Sequence, residues 1–187
     1  ELEAARAEWR GLLGTIQART PDEKLDFMVN GAALYQSLAC RVWGRTATYQ
    51  SSGAYGFRDQ LQDSLALLDV RPELAREVIV EASRRQFPEG DVLHWWQPVS
   101  GRGVRTRFVD DRHWLAYVAA EYVLATGDVS VLDVETPYLE GPAVPGDRED
   151  LYLQPNPSLE VASVYDHCIA ALRLAPLGMH GLPLMGG

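Results

Sequence analysis

Apolar residues recur at helical spacing along most of the chain. Leu2, Ala5, Trp9, Leu12, Leu13 and Ile16 fall three or four apart, which predicts an amphipathic helix over residues 1–18. Leu25, Met28, Val29, Ala32, Leu34, Leu38 and Val42 cover most of a helix circumference, as in a buried helix. Thr20-Pro21-Asp22-Glu23 supplies its start, with Thr20 as N-cap, Pro21 in the first turn and Glu23 at the third position. Further helices are predicted over 58–68, from 72 to about 85, and over 111–125. Gly127 in Thr126-Gly127-Asp128 suits a left-handed C-cap for the last of these. A short helical turn at 129–133 follows, and Ser158 is placed to cap a last helix reaching about residue 174.

Between these lie irregular stretches at 44–57, 86–110 and 134–157 and a tail at 176–187, all punctuated by Gly, and most by Pro as well. No alternation of period two is long enough to read as a sheet, so the pattern predicts an all-α chain. Two of the stretches exceed the ~12–15 residues beyond which a loop in a compact domain is functional or disordered. Their aromatic residues argue against simple disorder.

The chain has 187 residues, the length of one domain. Its 47% hydrophobic and 23% charged residues exclude general disorder. No apolar run approaches the ~20 residues of a membrane span. Glu1, Glu3, Arg6, Glu8 and Arg10 scatter charge where a signal peptide needs an apolar stretch. The first residue is not Met, so a fragment, a processed product or an engineered piece is expected. A net charge of −9 repels nucleic acid and anionic lipid, so no nucleic-acid partner is expected. Cys40 and Cys168 both sit in apolar helical contexts and read as buried, reduced thiols. Lys24 is the only lysine among 17 basic residues, so the chain is rich in planar, bidentate arginine donors.

Three segments carry candidate chemistry. In Arg58-Asp59-Gln60-Leu61-Gln62-Asp63, Asp59 and Asp63 share a helix face four residues apart. This is either a charged cap on a solvated helix or a polyol site in which carboxylates accept from sugar hydroxyls. In Gly90-Asp91-Val92-Leu93-His94-Trp95-Trp96, the two indoles either stack on pyranose faces or pin the segment to the core. Arg102, Arg105 and Arg107 beyond it either neutralise an anion or form an exposed basic loop. Asp110 and Asp111, next to His113 and Trp114, either cap the following helix or line a hydroxyl-binding pocket. His94, His113, His167 and His180 show no metal-ligand spacing, and no metal is expected. No phosphate-binding Gly loop is present, and neither Cys has a defensible nucleophile setting.

Taken in order, Tyr49 through Asp63, Arg85-Gln86-Phe87, Glu89-Gly90-Asp91-Val92, His94-Trp95-Trp96, Gly101 through Arg107, Asp110-Asp111, Trp114-Leu115, Thr126-Gly127-Asp128 and His180 through Gly186 resemble glycoside hydrolase family 94, the inverting glycoside phosphorylases. The resemblance runs nearly the length of the chain. It implies part of an (α/α)6 barrel, about six of twelve helices, with residues 1–187 as the N-terminal part of the catalytic domain. It implies reversible phosphorolysis of β-1,2-glucosidic bonds to α-glucose 1-phosphate, with a stand-alone 1,2-β-oligoglucan or cellobiose-type phosphorylase, or a non-catalytic carbohydrate-binding piece, as alternatives. A β-glucan oligosaccharide is the implied ligand and inorganic phosphate the co-substrate, with no cofactor. The resemblance makes Arg58, Asp59 and Asp63 sugar contacts, with Trp95, Trp96, Asp110 and Asp111 lining the same mouth. The family's general acid follows its Gly-Leu-Pro-Leu-Met-Gly stretch, so it is expected after Gly187 and this chain alone is expected to be inactive. A half barrel would expose inner-helix surface, which predicts contact with the rest of the parent barrel, a homo-oligomer (helix-swapped among the options) or marginal stability. The implied location is the cytoplasmic face, with the parent anchored in a bacterial inner membrane.

Overall fold

A computed structural model describes residues 1–44, 53–173, 177–182 and 184. The N-terminal helix α1 (Leu2–Leu13) ends at Gly14, short of the expected residue 18. The next helical stretch begins two residues later than the Thr20 reading. Asp22 is the N-cap of α2 (Glu23–Phe27), its carboxylate accepting from the backbone N–H of Lys24 and Leu25. Thr20 instead accepts from the Asp22 N–H. The stretch is not one straight helix. It bends at Asn30 and Gly31 before α3 (Ala33–Ser37) and a wider helical turn at Leu38–Val42. The Asn30 amide holds both backbone groups of Ala18, at 2.6 and 2.8 Å, so the bend ties the α1–α2 connection down. Leu12, Leu38 and Leu67 form a small core here, with Trp9 packed against it.

A two-residue strand, β1 (Tyr55–Gly56), runs directly into α4 (Phe57–Ser64), and α5 (Pro72–Ser83) starts on its proline. The stretch 86–110 then holds β2 (Leu93–Trp96) and β3 (Gly103–Thr106). The helix α6 (Val109–Thr126) ends, as its sequence predicts, on left-handed Gly127 at φ 73°. A helical turn at Val129–Asp133 follows, also as expected. Beyond it come β4 (Glu135–Glu140), β5 (Asp150–Leu153) and β6 (Asn156–Ser163), then α7 (Val164–Arg173). Ser158 lies within β6. Ser163 caps α7, accepting from the Asp166 N–H and donating to its carboxylate.

The all-α expectation is therefore overturned, and with it the reading of the chain as six helices of an (α/α)6 barrel. About 51% of the chain is helical and 18% is in strands, and the strands form two antiparallel sheets where loops were expected. One has the order β1-β2-β3-β5; the other is the ribbon β4-β6. Both escaped the periodicity test for physical reasons. β2 and β3 are four residues each, with burial that does not alternate. The β4–β6 ribbon contains Pro137 and Pro157, which a two-stranded edge tolerates and a central strand does not.

The main core lies between the four-stranded sheet and α4, α5, α6 and α7. Phe57, Leu61, Ile79, Phe87, Leu93, Trp96, Leu115, Val118 and Val164 are its large members. The turn that closes β2 onto this core needs Gly90, at φ 96°, because a Cβ there would strike the Ala170 carbonyl. No helix among the described residues is long and apolar enough to cross a membrane.

Candidate functional site

Two helix starts converge on one edge of the four-stranded sheet. α4 follows β1 without a break, and α6 begins three residues after β3. Gly56 is the N-cap of α4, and a side chain there would collide with the Asp59 carboxylate, so glycine leaves room for Asp59 over the helix start. The first turn of α6 carries Asp110 and Asp111. Acidic residues are favoured at helix N-termini, where unpaired N–H groups concentrate positive charge. The fold thus brings three carboxylates from two helix starts to one place.

Two basic side chains face them. Arg58 Nη1 donates to Asp110 Oδ2 at 3.2 Å, and its guanidinium lies 5.3 Å from the centre of the Trp114 ring. His94 Nδ1 lies 2.6 Å from Asp111 Oδ2. The Asp111 side chain is only 3% exposed and that of His94 is 39% exposed, so the acid is buried behind an imidazole that reaches solvent. The Asp111 hydrogen bond raises the His94 pKa above its ordinary value. Partial burial opposes the shift, and the charges of Asp111, Asp59 and Asp110 add to it. The His94 ring also meets Phe108 edge-on at 5.2 Å.

These residues line an open cleft of about 700 Å³, with Arg58, Asp59, Gln62, His94, Trp95, Phe108, Asp110 and Asp111 on its walls. Carboxylates accept from hydroxyls, Arg, Gln and His donate to them, and an indole covers an apolar ring face. That combination suits a polyol better than an apolar ligand.

The structure brings Arg58, Asp59, Trp95, Asp110 and Asp111 together in this cleft. Two candidate residues lie elsewhere. Asp63 is turned to Arg41, which donates to it at 3.0 and 3.3 Å. Trp96 is buried in the core, beside Tyr55 at 6.1 Å and under the Arg85 guanidinium at 5.3 Å. The same indole closes one side of an apolar cavity of about 220 Å³ that also touches Trp43 and Val78.

The three arginines do not form an anion site. Arg105 is 1% exposed. It donates to both oxygens of Asp91 at 2.6 and 2.7 Å, to Glu89 at 3.0 Å, and to the carbonyls of Gly141 and Pro142. Burial alone would lower its pKa, but Asp91 and Glu89 more than offset that and leave it raised. Arg102 reaches Gln154, and Arg107 reaches the carbonyls of Val144 and Pro145. All three hold the segments around β5 in place.

His94 and Phe108 are the site residues that sequence reasoning missed. A register shift between Leu93 and Trp95 in the β2–β3 pairing puts His94 and Trp95 on the cleft side while Leu93 and Trp96 stay buried. No residue type in Leu93-His94-Trp95-Trp96 announces that bulge. Among the described residues no group of three His, Cys, Asp or Glu side chains could hold a metal ion. Cys168 is buried as expected, and burial pushes its thiol up to about 12, whereas Cys40 is exposed, contrary to its apolar surroundings in sequence. The Tyr49–Ser52 part of the family-like stretch, and Pro183, Met185 and Gly186 of the last, lie outside the described residues.

Comparison with known proteins gives a consistent set. The family model for the glycosyl hydrolase 94 superfamily catalytic domain matches residues 8–187. The chain is 47% identical over 188 residues to the cyclic beta-(1,2)-glucan synthase NdvB of Rhizobium meliloti (strain 1021), a match that covers 100% of this chain and 7% of the synthase. It is 29% identical over 197 residues to the N,N'-diacetylchitobiose phosphorylase of Vibrio proteolyticus, covering 90% of this chain and 22% of that protein. It is also 29% identical over 180 residues to the solabiose phosphorylase of Paenibacillus borealis, covering 95% of this chain and 20% of that protein. The chain thus spans less than a quarter of the length of each of these relatives.

Proposed function

The chain belongs to the glycosyl hydrolase 94 superfamily, and from that premise we propose that its cleft is one wall of the sugar site of a glycoside phosphorylase, within a cyclic β-1,2-glucan synthase. The reaction is reversible, inverting phosphorolysis of a β-1,2-glucosidic bond, yielding α-glucose 1-phosphate. The synthase likeness favours this linkage over that of the other phosphorylases. The convergence of Arg58, Asp59, Trp95, Asp110 and Asp111 on one cleft carries the reading.

The chemistry fits a wall of this kind. A phosphate oxygen attacks the anomeric carbon, the glycosidic C–O bond breaks, and the leaving oxygen takes a proton from a general acid. Phosphate is already anionic, so the second carboxylate that activates water in inverting hydrolysis is not needed. The acids of this cleft then serve as hydroxyl acceptors rather than as a catalytic pair. Arg58 donates to the sugar while Asp110 fixes its direction, and Trp95 covers a ring face. Inorganic phosphate is the co-substrate, and the general acid lies beyond Gly187.

The test is formation of glucose 1-phosphate from β-1,2-glucooligosaccharides and phosphate, with this chain compared against a longer chain extended through the matched family domain. Activity in the longer chain, lost on Asp59→Ala, supports the proposal. Activity in neither, with sugar binding intact, supports a carbohydrate-binding role instead. Activity in this chain alone would place the general acid among Asp59, Asp110 and Asp111.

A further inference from the structure

We propose that His94, anchored through Nδ1 on Asp111, is a specificity-determining donor of the cleft, presenting an Nε2–H to an oxygen of the bound sugar. This rests on the sugar-site reading above and adds a residue and a pH response to it.

Asp111 is enclosed, and its oxygen at 2.6 Å from Nδ1 fixes which edge of the ring faces inward. A buried carboxylate is costly unless hydrogen-bonded, so Asp111 holds the Nδ1 proton firmly. The Nε2 edge makes no hydrogen bond among the described residues, and the ring lines the open cleft. With Nδ1 committed to Asp111, the charge state of the ring decides what Nε2 offers. A neutral ring presents a lone pair and accepts; an imidazolium presents N–H and donates.

The cleft needs that donor. It already holds the acceptor oxygens of Asp59, Asp110 and Asp111. Side-chain donors besides His94 are Arg58, half committed to Asp110, Gln62 and the Trp95 indole N–H. The charged groups around the ring favour the imidazolium. Asp110 and Asp111 face it from α6, and Asp59 from α4, with Arg58 as the opposing cation. On β3 the residue opposite Leu93 is Arg105, whose charge is taken up by Asp91 and Glu89. Asp111 shifts the ring toward the imidazolium; on losing that proton Nε2 becomes an acceptor, so a sugar held by its N–H is released as the pH rises.

The experiment is calorimetric titration of this chain with a β-1,2-linked glucotriose between pH 6 and pH 9, for the wild type, His94→Gln and His94→Phe. Circular dichroism checks that each variant is folded. A lost charge-assisted hydrogen bond corresponds to about a tenfold to hundredfold change in affinity. The wild type is expected to bind about that much more weakly at pH 9 than at pH 6. His94→Gln, whose amide nitrogen reaches the Nε2 position without titrating, is expected to bind at an intermediate level independent of pH. His94→Phe is expected to bind weakly throughout. Wild-type binding that ignores pH, or His94→Phe binding equal to wild type, overturns the inference and leaves the sugar site standing. No binding by any form at any pH overturns the sugar site and the inference together. Ring NMR adds a second readout: Asp111→Asn is expected to shift the His94 titration to lower pH, which a purely structural histidine contact with the cleft would not predict for the binding curve as well.

Discussion

Trp95 and Trp96 are consecutive in the chain yet belong to different parts of the protein. Trp95 lines the cleft and packs against Tyr152 at 5.9 Å, while Trp96 is 2% exposed inside the main core. The bulge in β2 next to Trp95 sets which side each indole takes. One short strand therefore supplies a ligand surface and a core anchor at once, and the site is built on a residue that cannot shift without disturbing the core.

This split predicts opposite outcomes for the same change at neighbouring positions. Trp96→Ala leaves a large hole in the core and is expected to cost about 3–5 kcal/mol of stability. Trp95→Ala removes a half-buried ring and is expected to melt close to wild type while losing sugar affinity, since aromatic stacking is removed. Thermal melts and sugar titration on both variants check this. Equal melting losses would show that the two indoles do not divide as described.

What could be read from sequence follows the range of the interactions involved. The ends of α4, α5 and α6 were legible because local signals set them: Pro72 at a first turn, Gly127 at a left-handed cap. The sheets were not legible, because pairs such as Tyr55↔Trp96 and Glu135↔Ser163 join segments 41 and 28 residues apart. The site follows the same rule. Arg58-Asp59 and Asp110-Asp111 are visible as clusters at helix starts, whereas their meeting with His94 depends on a bulge and a sheet. Asp63 shows the limit of face reasoning: four residues from Asp59 on one helix, it is drawn off to Arg41.

Arg105 is a buried tie between three segments. It stacks on Phe87 at 3.7 Å while it bonds Asp91, Glu89 and two backbone carbonyls. Removing one partner of a buried ion pair leaves the other uncompensated, at about 3–5 kcal/mol. Arg105→Met keeps the stem and loses the charge, and is expected to unfold at clearly lower denaturant concentration. Arg105→Lys keeps the charge but not the planar fork, and is expected to recover only part of the loss. A wild-type denaturation midpoint for Arg105→Met would contradict the structural role.

The two cysteines should separate by reactivity. A thiol reacts as thiolate, and burial raises Cys168 to about 12, whereas Cys40 is exposed. At pH 8 an aromatic disulfide reagent is expected to titrate one thiol quickly in the native chain and the second only on unfolding. Cys40→Ser is expected to abolish the fast phase. Two equally fast thiols in the native chain would show that Cys168 is not enclosed.

His167 gives the fold a pH dependence that can be isolated. It is fully buried, and its neutral ring donates from Nδ1 to Gln86 Oε1 at 2.7 Å and accepts at Nε2 from the Thr136 hydroxyl at 3.0 Å. The Thr136 hydroxyl in turn meets Ser83 at 2.9 Å, and the Gln86 amide holds the carbonyls of Gly90 and His167. Burial lowers the His167 pKa, partly offset by the Thr136 backbone and the Asp166 charge. Because the folded value lies below the unfolded ~6.5, the unfolded chain binds more protons in between. Stability is then full above about pH 6.5 and falls as the solution is acidified through the folded value. His113, lowered first by burial and then by Arg112, acts in the same direction; His94, raised by Asp111, acts in the opposite one. A comparison of variants is therefore needed to assign the effect. His167→Gln cannot take up the proton, so its melting temperature is expected to fall less than that of wild type between pH 7 and pH 5, although it starts lower because the Gln86 and Thr136 contacts are disturbed. A fall as steep as that of wild type would show that the acid sensitivity arises elsewhere in the chain.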